Sequence, residues 1–250
     1  KSLHARLGLL AELGPGDSVG IGLAGLLTGA KQYYALDLVN YTNLSRNLSI
    51  LDDLVALFRR EADIPSENSF PALRPKLSSY RFPRNIISED RLKLTLDETR
   101  VRHIREALNG VNNDAGIGIT YYAPWSDSSI IRPQSVDMVF SQAVLEHVDD
   151  LGNAYRSMRN WIKSSGYMSH QIDFSCHETA NVWNGHYRYS DTFWAIIKGG
   201  RAYLINRIPV CDHIEEARKC GFRIVKTICE IDNSGLMKDG VSRKFVRYQE

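Results

Sequence analysis

The chain has 250 residues, 43% hydrophobic and 24% charged, which suits one large α/β domain or a core with a substantial insertion. Its 31 basic and 29 acidic side chains leave a formal net charge of +2, far from the concentrated basic footprint that duplex nucleic acid requires, so nucleic acid is not expected as a partner. No run approaches the roughly 18 apolar residues of a membrane span, the first residues lack a signal-peptide layout, and Cys176, Cys211, Cys220 and Cys229 form no CxxC pair, which predicts reduced thiols in a cytoplasmic chain with neither a zinc site nor a disulfide framework.

The chain begins at Lys1, without a methionine and close to its first strand, so residues ahead of it are expected. Leu9 to Leu13 is a short apolar run bounded by Gly14-Pro15-Gly16, the pattern of a buried strand and a tight turn. Asp17-Ser18-Val19 then opens a helix. Gln32 to Val39, rich in aromatic and branched residues, is the second strand and carries Asp37. Residues 42 to 115 separate it from the third strand by far more than one helix and read as an inserted, mostly helical lid. Its first helix carries Leu44, Leu48, Leu51, Val55 and Phe58; its last carries Leu92, Leu96, Ile104 and Leu108 and stops at Gly110. Ile64-Pro65, Phe70-Pro71, Arg74-Pro75 and Phe82-Pro83 hold an irregular link between them.

Gly118 to Tyr122, Val136 to Ser141 and Gly166 to Phe174 repeat the strand pattern. Between the last two, Leu151, Ala154, Tyr155, Met158, Trp161 and Ile162 recur at spacings of three and four behind Asp150 as N-cap, a crossover helix. Residues 175 to 211 form a second insertion. It gathers His177, Trp183, His186, Tyr187, Tyr189, Trp194, Asn206 and Arg207, aromatic and polar groups suited to lining a substrate pocket. Phe222 to Glu230 and Lys244 to Tyr248 read as a terminal antiparallel pair, for a total of about seven strands. Such alternation predicts an α/β architecture, a mostly parallel sheet with helices on both faces.

A literal GxGxxG occurs at Gly20-Ile21-Gly22-Leu23-Ala24-Gly25. A dinucleotide fingerprint must follow a strand directly, whereas this one falls inside the first helix, where glycines serve close packing on the sheet. The earlier turn is better placed. Gly14 and Gly16 stand at the strand's carboxyl end, and Asp37 follows about twenty residues on, the spacing of a ribose contact.

Glu12-x-Gly14-x-Gly16, Asp37 and the stretch from Asp137 to Val148, with Ser141 and Leu145-Glu146-His147, resemble the first, second and fourth motifs of class I S-adenosylmethionine-dependent methyltransferases. Ser18 stands where that family has a third glycine, and Ile162-Lys163-Ser164-Ser165-Gly166 replaces its Lys-Pro-Gly-Gly. The resemblance implies a single Rossmann-like domain spanning 1–250 and S-adenosyl-L-methionine as cofactor. It further implies a small-molecule or glycan acceptor, as in the bacterial surface-polysaccharide and secondary-metabolite enzymes that His170-Gln171-Ile172-Asp173, Tyr189-Ser190 and Asn206-Arg207 look similar to.

On that resemblance the turn Gly14, Pro15, Gly16, Asp17 and Ser18 would hold the methionine portion, with Glu12 organising the turn or meeting the cofactor amine. Asp37 would accept from the ribose hydroxyls. Tyr122, Ala123, Pro124 and Trp125 would flank the adenine, and Ser141 and Gln142 would border the transferred methyl. A hydroxyl acceptor requires a base, for which histidine has the right range. His147 and His177 are the candidates, His177 lying four residues beyond Asp173, a carboxylate able to orient it; mid-strand His170 reads as structural. Trp183, Tyr189, Asn206 and Arg207 would contact the acceptor. No metal is expected. A nicotinamide-dependent oxidoreductase and a non-catalytic binding protein are the rival classes.

Overall fold

The computed structural model describes residues 7–70, 76–125, 127–230, 234–236 and 240–248. The expected prolines Pro71 and Pro75, with Arg74, lie outside these. The chain divides into two compact units, one from residues up to Phe140 with Trp161–Ser169, the other from Ser141–Asn160 with His170 onward. No described helix is long and apolar enough to cross a membrane.

The first unit is built on a sheet of β1 (Leu9–Leu13), β2 (Gln32–Leu36), β3 (Gly118–Tyr122), β4 (Val136–Gln142) and β5 (Ile162–Gln171), in the order β3-β2-β1-β4-β5. The last residues of β4 and β5 belong to the second unit. β2 runs parallel to both β1 and β3, with Leu10 opposite Tyr33 and Tyr33 opposite Ile119. This order reverses direction beside the first strand, as in doubly wound nucleotide-binding sheets, where ligands lie beyond the carboxyl ends of the strands.

Five strands are present among the described residues, not seven, and no antiparallel terminal pair forms. Phe222–Glu230 forms no strand, and Val225 and Ile228 are exposed. Lys244–Tyr248 lies in a 3₁₀ helix, Arg243–Tyr248. That segment is held by its side chains: Phe245 is buried against the Tyr187 ring at 4.6 Å, and Lys244 Nζ reaches Asp191 at 3.0 Å.

The helices α1 (Gly20–Leu27), α2 (Leu44–Arg59) and α4 (Glu98–Leu108) share one apolar cluster with the sheet, including Leu23, Leu26, Leu51, Val55, Val101 and Ile104 around Leu10 and Tyr33. Two helices of the 42–115 segment are therefore part of this unit's core. The helix expected to end at Gly110 is two helices, because Ser88 caps α3 (Glu89–Thr95) by accepting from Arg91 N–H, and Asp97 caps α4 by accepting from Thr99 N–H.

α1 contains the GxGxxG, inside a helix and not at the strand-to-helix turn. A Cβ at Gly22 would come within 2.3 Å of the Tyr33 ring, and one at Gly25 within 2.4 Å of Leu10. Their absence of side chains lets helix and sheet touch. Gly22→Ala should cost about 1–3 kcal/mol, read as a lowered urea midpoint; an unchanged midpoint would refute this packing role.

Asp137 ties this unit together. Its Oδ2 accepts the N–H groups of Gly8 and Leu9, both at 2.8 Å, and its Oδ1 takes Lys163 Nζ at 2.7 Å. Burial pushes its pKa up, but the Lys163 ammonium and the two backbone donors outweigh that and hold it below the usual 3.8. A depressed carboxylate contributes stability above its unfolded pKa that is lost as pH falls through the folded one. Asp137→Asn should therefore lower stability at neutral pH and narrow the difference from the parent below pH ~4, measured by urea unfolding across pH.

The second unit carries most of α5 (Leu151–Trp161), with α6 (Asp191–Lys198) and α7 (Val210–Lys219). Asp150 Oδ1 accepts Asn153 N–H at 2.8 Å, the expected cap of α5. At the unit's centre Arg207, whose side chain is 4% exposed, pairs with Asp191 at 2.7 Å and donates to the Tyr189 and His186 carbonyls at 2.7 and 3.3 Å. Its guanidinium lies 4.7 Å over the Trp194 ring and 5.2 Å from that of Phe245.

Candidate active site

In the first unit, β1 ends in Glu12 and Leu13, and the chain turns through Gly14 and Gly16, both left-handed at φ 64° and 68°. Glycine alone adopts this without strain. Gly14 N–H donates to Leu36 O at 2.8 Å and Gly16 N–H to Asp37 Oδ2 at 3.1 Å. A Cβ at Gly16 would meet nothing within 4 Å, so open space faces the turn. Asp17 pairs with Arg46 at the surface. Ser18 Oγ accepts Gly20 N–H at 3.1 Å, supplying a small polar cap where a glycine was replaced.

Glu12 is 4% exposed and accepts the Tyr33 hydroxyl at 2.5 Å. Burial, only partly offset by that hydrogen bond, pushes its pKa from 4.5 to about 7. An acid whose folded pKa is raised binds its proton more tightly when folded, so its contribution falls as pH rises from the unfolded to the folded value. Glu12→Gln should thus flatten the loss of stability between pH 4.5 and about 7; parallel pH profiles for parent and variant would refute it.

The segment after β3 clasps Asp37 by its backbone: Asp37 N–H donates to Tyr122 O at 2.9 Å and Trp125 N–H to Asp37 O at 3.0 Å, across a cis Ala123–Pro124 bond. The Tyr122 ring leans on Tyr34 at 6.0 Å, and Trp125 lies edge-on to Trp161 at 5.6 Å. Two partners are not evident from local sequence. Tyr121 brings its hydroxyl to Gly16 O at 3.2 Å and Asp37 Oδ2 at 3.4 Å, and burial followed by the Asp37 charge raises its pKa to about 12. Asn47, 2% exposed on α2, accepts Val19 N–H at 3.0 Å. Alternation along β3 already separates Tyr121 from Tyr122, the one signal that pointed to it. Beside this group lies a cleft of about 180 Å³ lined by Thr42, Asn47, Leu108, Gly110, Ile119 and Tyr121. The Asp37 carboxylate, whose Oδ1 also accepts Leu38 N–H at 2.7 Å, an approachable backbone and a largely apolar slot fit an adenosyl ligand.

In the second unit, Ser141 Oγ and His170 Nδ1 are 2.8 Å apart, and Gln142 is exposed. Burial pushes His170 down to about 4, and His186 and His213 likewise to about 4, so these three rings are neutral at physiological pH. The 3₁₀ turn Leu145–His147 carries the more distinctive groups. Glu146 is 3% exposed, neither carboxylate oxygen has a well-formed hydrogen bond among the described residues, and burial, only partly offset by the backbone N–H groups of Glu146 and Asp173, raises its pKa to about 7. His147 lies edge-on to His177 at 5.1 Å, and its pKa is lowered by burial and by that neighbour. His177 Nε2 stands 3.3 Å from Asp173 Oδ2. Burial works to raise the Asp173 pKa, but the Ser175 donors and His177 prevail and keep it below 3.8.

Asn206 braces this turn, its N–H donating to Glu146 O at 2.7 Å and its Nδ2 to Leu145 O and Val148 O, both at 2.8 Å. Its Oδ1 accepts Ile208 N–H at 2.8 Å. Asn206 and Arg207 thus have their polar atoms engaged within the protein. Tyr189 donates to Thr179 O at 3.1 Å and stacks near Trp194, while Trp183 packs beside Gly235. Glu146, Asp173, His186, Asn206 and Arg207 line a second, much smaller cleft of about 10 Å³.

Residues 96–169 match the family model of the methyltransferase domain. The matched span runs from α4 through β3, β4 and α5 into β5 and contains the Asp137–His147 stretch. A search of the curated proteins found no match. Among solved structures, the chain is similar to phosphoethanolamine N-methyltransferase 2 of Haemonchus contortus in complex with S-adenosyl-L-methionine, at 16% identity over 87% of this chain and 34% of that one, TM-score 0.41. It is also similar to an S-adenosylmethionine-dependent methyltransferase from Mesorhizobium loti, at 14% identity over 89% of this chain and 78% of that one, TM-score 0.41. The chain spans about a third of the Haemonchus protein's length.

Proposed function

We propose that this chain transfers a methyl group from S-adenosyl-L-methionine to an oxygen of a small molecule or glycan, in the cytoplasm, as a methyltransferase of the surface-polysaccharide or secondary-metabolite type. The observation that carries the reading is the Asp37 carboxylate, set against Gly16 N–H at 3.1 Å and the Tyr121 hydroxyl at the strand ends where such sheets take nucleotide-like ligands. The methyltransferase domain match over residues 96–169 supports it.

When bound, the cofactor supplies an electrophilic methyl on a sulfonium. Displacement at that carbon asks the protein for alignment and exclusion of water. Asp37 accepts from the ribose diol, and the Gly14–Ser18 turn with Glu12 holds the amino-acid portion. Tyr122, Pro124 and Trp125 flank the adenine, and Ser141 and Gln142 border the methyl. His147 and His177 receive the acceptor's proton, with Asp173 orienting His177. Trp183, Tyr189, Asn206 and Arg207 shape the acceptor side.

Calorimetric titration of the intact chain with S-adenosylhomocysteine tests this reading. One equivalent bound with micromolar affinity is expected; no heat at millimolar ligand would overturn it. Turnover on a panel of hydroxylated acceptors then identifies the substrate.

A further inference from the structure

Three potential metal-ligating side chains in the second unit stand together. Glu146, His147 and His177 each bring one ligating atom to within 4.8 Å of the others. Glu146 is 3% exposed with no well-formed hydrogen bond to either oxygen, and His147 Nδ1 is likewise buried without one. The backbone N–H groups of Glu146 and Asp173 offset its burial only in part, and a buried carboxylate short of hydrogen bonds is costly. A cation offsets that cost directly.

We propose that Glu146, His147 and His177 form a binding site for one divalent transition-metal ion. Two imidazoles and one carboxylate are the donor set of zinc-class sites. Donors around a tetrahedral zinc at roughly 2.0–2.1 Å lie about 3.3 Å apart, so side-chain rotations of an ångström or so close the present spacing. The surroundings match what such ligands need. His147 donates a ring N–H to the Tyr203 backbone carbonyl, and Asp173 Oδ2 lies 3.3 Å from His177 Nε2, the outer contacts that fix a ligating ring. Asn206 pins the Glu146–His147 backbone through three carbonyls. Three protein ligands leave a coordination position open, as in catalytic rather than structural sites, and Glu146 lines the small cleft that Asp173 and His186 also border.

The site's existence is independent of methyl transfer, while its use rests on that reading. A ring that gives its lone pair to a metal cannot also take the acceptor's proton, so in the metal-loaded chain the ion would replace His147 and His177 as the means of deprotonation: it would raise the acidity of a bound acceptor hydroxyl, whose proton would pass to solvent.

The test uses the intact chain with the exposed Cys211 and Cys229 changed to serine, stripped with chelator and titrated with Zn²⁺ in a calorimeter and with Co²⁺ by visible absorption. One ion per chain and d–d bands of a four- or five-coordinate site are expected. Glu146→Gln should weaken binding by tenfold or more. His177→Ala, at a side chain 28% exposed and so least apt to disturb folding, should do the same with an unchanged circular dichroism spectrum. Absence of binding in the folded parent, or affinity indifferent to both substitutions, overturns the proposal. S-adenosylhomocysteine titrated into the same samples separates the two readings: metal bound without it sinks methyl transfer alone, and the nucleoside bound without metal sinks this site alone.

Discussion

Asp37→Ala should weaken binding of S-adenosylhomocysteine by tenfold or more, about 1.4 kcal/mol, with little change in unfolding. The carboxylate meets Gly16 N–H at 3.1 Å and the Tyr121 hydroxyl at 3.4 Å, while the segment's position is fixed through backbone bonds to Tyr122 and Trp125 that alanine retains. Folding therefore survives, and what is lost is the charged acceptor for a diol, a hydrogen bond to a charged group contributing about 1.5–3 kcal/mol. Asp37→Asn keeps one carbonyl for Gly16 but sets an amide donor against the ribose hydroxyls, so it should fall nearer to alanine than to the parent. Calorimetric affinities for all three proteins decide the point, and unchanged affinity in Asp37→Ala would remove this residue from the cofactor site.

Arg207→Leu should destabilise the chain by roughly 2–4 kcal/mol, the largest single-residue effect expected here. The ion pair is a minor part of this, because Asp191 is 65% exposed and keeps Lys244 as a partner, and exposed pairs contribute little. The main losses are the donors to the Tyr189 and His186 carbonyls and the stacking between Trp194 and Phe245. Arg207→Lys separates these terms. Lysine restores charge but neither the planar fork nor the stacked surface, so most of the loss should persist in urea unfolding; recovery of parental stability would make the ion pair dominant after all.

What was legible in the sequence was local. The run Leu9–Leu13 with its glycine turn, the placement of Gly20–Gly25 inside a helix, and the face of α5 behind Asp150 all follow from residues within a few positions of one another. The roles of Tyr121 and Asn47 join positions 105 and 28 residues apart, and beyond the alternation along β3 that sets Tyr121 on the face opposite Tyr122, nothing nearby marks them. Asn206 and Arg207 read as pocket polar groups by type, yet their donors meet carbonyls on other segments. Phe222–Glu230 has the alternation of a strand, but a strand exists only with a partner, and Lys244–Tyr248 docks through Phe245 onto Tyr187 and Arg207. In α6, Ser190 accepting Phe193 N–H at 3.2 Å was a readable cap, overshadowed by the aromatic density around it.

Tyr33 packs its ring where Gly22 leaves room and sets its hydroxyl on Glu12, so one fully buried side chain fastens both flanks of the glycine turn to the sheet. A loop secured this way is shaped before any ligand arrives, and little conformational freedom remains to be lost on association. Ligand capture should then proceed in a single kinetic phase, its observed rate rising linearly with ligand concentration and showing no plateau from a preceding rearrangement.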